Sequence, residues 1–157
     1  MIRFLGIDPG KAGSVSIIDG DHVTVYPTPL FDDEYDAAGM FKLLQSECDN
    51  RDEVFCVIER SQSMPKQGVV SMFTFGKGYG MWLMALAGLQ IPHTVVHSRT
   101  WTKKMLMGAP GEGKERAYLV ARRMFPNWAP TKKKEWEYAD SILLAQYGRE
   151  THGAGSR

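Results

Sequence analysis

The 157-residue chain carries 19 Lys and Arg against 18 Asp and Glu, a net charge of +1, with 43% apolar residues and two cysteines. That length suits one domain with a real core; no apolar run reaches the ~20 residues needed to cross a bilayer, and the first residues lack a signal-peptide pattern. Cys48 and Cys56 alone exclude a disulfide framework or a four-cysteine zinc site, which leaves a soluble cytoplasmic protein as the expectation.

In chain order, residues 2–7 are a short apolar run suited to a buried strand, broken by Asp8-Pro9-Gly10 with Gly13 following. Residues 14–18 and 22–26 read as the next two strands, joined at Asp19-Gly20-Asp21, a hairpin signal. Residues 37–45 have helical spacing that lets Met40, Phe41 and Leu44 share a face. Residues 54–58 are almost wholly apolar, as a central strand covered on both faces should be, and the run ends on Glu59. A polar, helix-poor stretch over 60–68 leads into residues 69–89, rich in Met and aromatic side chains, with Gly76, Gly78 and Gly80 and no acid. This segment reads as a helix, whole or broken near its glycines. Its surplus apolar face predicts a homodimer, with a central buried helix as the alternative. Residues 93–97 follow as a fifth strand. One helix is predicted from Gly113 or Lys114 to Met124, stopped by Pro126 and Pro130, and a last one from about Lys134 to Tyr147. The expected division is a single domain over 1–148 and a flexible C-terminal tail over 149–157. The element order implies the α/β class, a mixed sheet with helices on its faces.

The near-neutral total conceals a partition. Residues 1–59 net −8, residues 60–95 net +3, residues 96–134 net +8, and the remainder net −2. Such asymmetry favours a polyanionic partner.

Asp8 closes the first strand and Glu59 the fourth, and ligand sites in open α/β sheets gather at such strand ends. A carboxylate ending an apolar strand is costly unless a cation or a donor satisfies it. On a helical wheel Asp140 falls between Trp136, Leu143, Leu144 and Tyr147, and Glu137 lies one turn earlier at i, i+3. Asp8, Glu59, Glu137 and Asp140 make a hard-oxygen set suited to Mg²⁺ or Mn²⁺. Two such ions can activate a water and stabilise the leaving oxygen of a phosphodiester.

Four blocks in this order resemble the RuvC-type Holliday junction resolvases of the RNase H-like superfamily. They are Gly6-Ile7-Asp8-Pro9-Gly10, the strand ending Val57-Ile58-Glu59, the basic segment around Lys103, Gly108 and Lys114, and Glu137-Tyr138-Ala139-Asp140-Ser141. The resemblance implies an RNase H-like fold, a mixed five-stranded sheet whose first three strands form an antiparallel meander, with helices on both faces. It implies metal binding by Asp8, Glu59, Glu137 and Asp140, and Lys103 and Lys114 near the scissile phosphate. It also implies a homodimer, here through the 69–89 helix, that makes paired nicks at four-way DNA junctions. Arg60, Arg99, Lys103, Lys104, Lys114 and Arg116 are expected to hold backbone phosphates, which give affinity and salt dependence rather than sequence reading.

The family places an aromatic wedge shortly after the fourth-strand Glu; residues 60–65 hold none, so Phe73 or Phe75 would have to substitute. The compact chain looks like a phage-encoded member, and such relatives sometimes accept forks and flaps. A broader branched-DNA nuclease and a catalytically silent junction binder are the alternatives. The run from Gly108 to Lys114 matches the start of a P-loop, but Glu115 stands where Ser or Thr would ligate Mg²⁺, so no nucleotide cofactor is expected.

Overall fold

The structure, a computed structural model, describes residues 1–48, 53–62 and 64–153. β1 (Arg3–Asp8), β2 (Ser14–Asp19) and β3 (His22–Pro27) form the expected antiparallel meander, with Gly20 in the β2–β3 turn at φ 58°. A minor hairpin, β4 (Leu30–Phe31) and β5 (Glu34–Tyr35), precedes α1 (Ala37–Cys48). β6 (Val54–Glu59) and β7 (His93–Val96) then add in parallel beyond β1, giving the order β3-β2-β1-β6-β7.

Strand alternation assigns the two faces. Leu5 and Ile7 of β1, with Cys56 and Ile58 of β6, pack into a core under α1 and α2 (Val69–Gly88). Phe4 and Val57 enter the other core, with α3 (Ser98–Met105), α4 (Gly113–Met124) and α5 (Ala139–His152). Gly6, between Phe4 and Asp8, faces α5 across almost no space: a Cβ there would stand 2.0 Å from the Ser141 carbonyl oxygen. Ser14 and Ser16 of β2, both 0% exposed, continue this strip of small residues. Ser141 Oγ donates to the Tyr138 carbonyl at 3.0 Å and accepts from Ser14 and Ser16 at 2.6 and 2.5 Å, so every hydroxyl proton has a destination. Helix α5 therefore lies unusually close to the sheet.

Several expectations narrow or change. α2 takes the unbroken form of the two expected, and its Gly78 gives room to Tyr35, whose ring would lie 2.4 Å from a Cβ there. Phe41 does not join Met40 and Leu44 in the core; it stays 38% exposed at the edge of α1. The last helix starts as a 3-10 helix, Lys133–Tyr138, before α5 takes over. It then runs to His152, past the expected end at Tyr147. Residues 149–152 are thus helix rather than tail, tied down by the Arg149 bond to the Gly20 carbonyl at 2.6 Å and the His152 ring stacked on Phe55. Residues 154–157 of the expected tail lie outside the described residues.

Candidate active site

Two strand ends and one helix start meet at a single point. Asp8 shares the face of Phe4 and Gly6, Glu59 shares that of Phe55 and Val57, and the parallel register Ile7↔Ile58 sets the two acids level on the α5 side. The close seating of α5 brings Asp140, in that helix's first turn, against them. Behind Asp8, the turn depends on glycine: Gly10 has φ 121°, and a Cβ on Gly13 would stand 1.9 Å from the Asp8 carbonyl oxygen.

Electrostatics report the crowding. Burial, then Asp140, then Glu59 hold the Asp8 carboxyl well above its ordinary value, with Lys114 pulling the other way. Burial also raises Glu59, opposed by a hydrogen bond from the Trp101 indole Nε1 at 2.6 Å. Asp140 is pushed up to about 6 by burial and then by Glu59, again opposed by Lys114. Three carboxylates thus share one partly desolvated place with one nearby ammonium.

Two clefts of about 570 and 900 Å³ open from it and share Asp8, Pro9, Glu59 and Phe75. The smaller adds Lys11, Ser71, Thr74 and Glu137; the larger adds Arg60, Gln62, His97 and Arg99. Phe75 is the overhang between them, its ring 3.3 Å from where a Gly10 Cβ would be. A further cavity of about 550 Å³ lies at the opposite strand ends, lined by Ile2, Val54, Phe55 and Pro92, and holds none of these acids.

The predicted basic residues part company here. Lys114, in the first turn of α4, bonds Glu137 Oε1 directly. Arg60 and Arg99 line the larger cleft. Lys103 lines neither cleft, because Trp101 and Met105 turn the other side of α3 into the core and leave Lys103 facing solvent. Lys104 pairs with Glu150 at 3.5 Å, near the far end of α5 from Asp140, and Arg116 donates to the Leu106 carbonyl. These last two thus have partners within the protein. Trp101 is the participant that sequence reasoning did not place, since nothing local links α3 to β6.

Among the described residues, no group of three or more His, Cys, Asp or Glu side chains is arranged to hold an ion. The donor chemistry fits a hard divalent cation all the same. Asp8, Glu59 and Asp140 are oxygen donors whose mutual repulsion and burial a cation would relieve, and Glu137 stands on the rim.

No protein-family model and no curated protein matches the sequence. Solved structures do. The chain is similar to T. thermophilus RuvC in complex with a Holliday junction substrate, with a TM-score of 0.71 at 17% identity over 99% of this chain and 98% of that one. A second Thermus thermophilus RuvC structure gives a TM-score of 0.64 at 18% identity, covering 98% and 97%. With its β3-β2-β1-β6-β7 order, paired helical layers and end-to-end superposition, the chain has the RNase H-like fold of the RuvC Holliday junction resolvases.

Proposed function

We propose that this protein is a divalent-cation-dependent endonuclease that resolves four-way DNA junctions as a homodimer. The observation that carries the proposal is that Asp8 and Glu59, from β1 and β6, line one cleft with Glu137, while Asp140 of α5 lies close enough behind them to repel their charge and Lys114 close enough to offset it. Asp8, Glu59 and Asp140, with Glu137 at the rim, would hold Mg²⁺ or Mn²⁺, which when bound supplies an activated water and stabilises the leaving oxygen.

The chain's own groups do the rest. The acid cluster repels DNA until its charge is offset, so cutting is conditional on the cation. Lys114 leaves Glu137 to meet negative charge developing on the phosphate. Arg60 and Arg99 line the path of the strand, and Lys103 serves the phosphates further out. Phe75 overhangs the cleft and offers a base-stacking face, whereas Phe73, 73% exposed, points away from it along α2. Dimerisation rests on that outward face. Val69, Phe73 and Met84 are 78, 73 and 73% exposed there, and open space surrounds Gly76 and Gly80.

The test is a synthetic four-way junction incubated with Mg²⁺ beside fork, flap and linear duplex controls. Paired nicks confined to the junction are expected, and Asp8→Asn should bind the junction as tightly without cutting it. Undiminished cutting by Asp8→Asn sinks the metal role. Equal cutting of forks and flaps makes the protein a general branched-DNA nuclease, and no Mg²⁺-dependent nicking of any substrate makes it a silent binder.

A further inference from the structure

We infer that Trp101 is a positioning residue for Glu59: its indole N–H fixes one carboxylate oxygen so that the other is presented to the cleft. The inference rests on the metal-binding role proposed above for Glu59. Trp101 is 2% exposed, and its Nε1 donates to Glu59 Oε2 at 2.6 Å, a short bond even for a carboxylate acceptor. The bond is long in sequence and short in space. β7 pairs Val96 with Glu59, and α3 begins within two residues of that pair, with the amides of Thr100 and Trp101 both bonded to the His97 carbonyl. Met105, one turn on, seats α3 in the same core as Trp101. The indole therefore cannot swing away without lifting the helix.

Filling the core does not require this contact. Trp82, 0% exposed in the opposite layer, keeps its Nε1 without a partner among the described residues. The fold thus tolerates a buried indole whose N–H does no bonding, yet the indole beside the cleft is spent on a carboxylate. A glutamate has several free torsions, and immobilising them when an ion arrives weakens binding. A donor that holds the carboxylate beforehand removes that loss, and neutral donors behind metal-binding groups commonly set affinity by tenfold or more.

The test uses Mn²⁺ binding to the full chain without DNA, read by electron paramagnetic resonance of the free ion, for wild type, Trp101→Phe and Trp82→Phe. Trp101→Phe should bind Mn²⁺ about tenfold more weakly or worse. Trp82→Phe, which loses an equivalent buried indole from the other face, should bind like wild type. In junction cleavage Trp101→Phe should need correspondingly more Mg²⁺ while its KM for the junction stays unchanged. A second measurement needs no variant in the binding step: in ¹⁵N-labelled wild type, Mg²⁺ should shift the indole N–H resonance of Trp101 and leave that of Trp82 in place. Wild-type Mn²⁺ affinity in a folded Trp101→Phe, or a Trp101 resonance unmoved at saturating Mg²⁺, overturns the assignment. Wild type that binds no Mn²⁺ at all overturns the metal-binding role beneath it.

Discussion

Asp140 is subject to two opposed effects. It sits in the first turn of α5, where the helix dipole favours a carboxylate by roughly 0.3–1 kcal/mol. Burial and the charge of Glu59 nonetheless push its pKa up to about 6, so desolvation and repulsion prevail. The consequence for stability has a definite sign. The folded protein holds this proton more tightly than the unfolded chain does, so the stabilisation is complete below the ordinary carboxyl range and disappears as pH rises through about 6. Asp8 and Glu59, both raised, act in the same direction. Cation-free protein should therefore melt lower at pH 8 than at pH 5. Asp140→Asn should remove part of that decline, leaving the variant more stable than wild type at pH 8 by the order of 1–3 kcal/mol. Thermal melts in a chelator across this range check it: parallel curves for the two proteins would reject the account. Mg²⁺ should restore wild type at pH 8 and leave Asp140→Asn almost unmoved.

At the scale of elements, the distance between α5 and β1 decides whether the acids meet. Gly6 sets that distance. Gly6→Ala would place a methyl 2.0 Å from the Ser141 carbonyl oxygen and 2.5 Å from the Ala145 amide, both backbone atoms of α5 that no rotamer change can move aside. Overpacking of this kind costs about 1–3 kcal/mol or more. The variant should melt several degrees lower and lose Mg²⁺-dependent cutting out of proportion to its loss of fold, because Asp140 rides on the displaced helix. Full activity at a temperature where it is folded would show that the close seating is not needed. The same contacts explain what sequence patterning could show. β1, β2 and β6 were legible because their apolar runs are strictly local, and Asp8 and Glu59 followed from where those runs end. Helix α3 was not: among its eight residues only Trp101 and Met105 are buried, too few to impose a period. Nor could a wheel foresee that Glu137 belongs to a 3-10 turn and is held by Lys114, since the Ser14–Ser16–Ser141 cluster that anchors this junction spans 127 positions. Likewise Trp101 reaches Glu59 over a separation of 42 that no local pattern records.

Across the whole molecule, the net charge of +1 is the balance of groups with different work. In the acidic first part, Asp8 and Glu59 enter the cleft, while Glu47 pairs with Arg3, and Asp33 and Glu34 with Lys11. In the basic segment, Lys104, Lys114, Arg116 and Arg122 meet Glu150, Glu137 and backbone carbonyls, while Arg99, with Arg60 from the preceding stretch, lines the cleft and Lys103 lies outside it. The paired nicks proposed above would require two such clefts at a fixed separation, and the exposed apolar face of α2 is the surface proposed to hold two copies together. On a 20-residue helix, Val69, Phe73, Gly76, Gly80 and Met84 fall on one side by the ~100° step per residue, opposite Gly78, Trp82 and Ala85, which face the core. Met84 contributes nothing to the protomer's interior at 73% exposure. Met84→Asp should therefore leave the melting of an isolated protomer within about 0.5 kcal/mol while placing a charge in the seam, where it has no partner. Sedimentation should find wild type as a dimer and the variant as a monomer. On a junction the variant should give single nicks that no longer come in pairs, with each cleft still competent. A variant that remains dimeric moves the interface to another face of the protein. A wild type that sediments as a monomer at the concentrations where it cuts removes the basis for symmetric resolution.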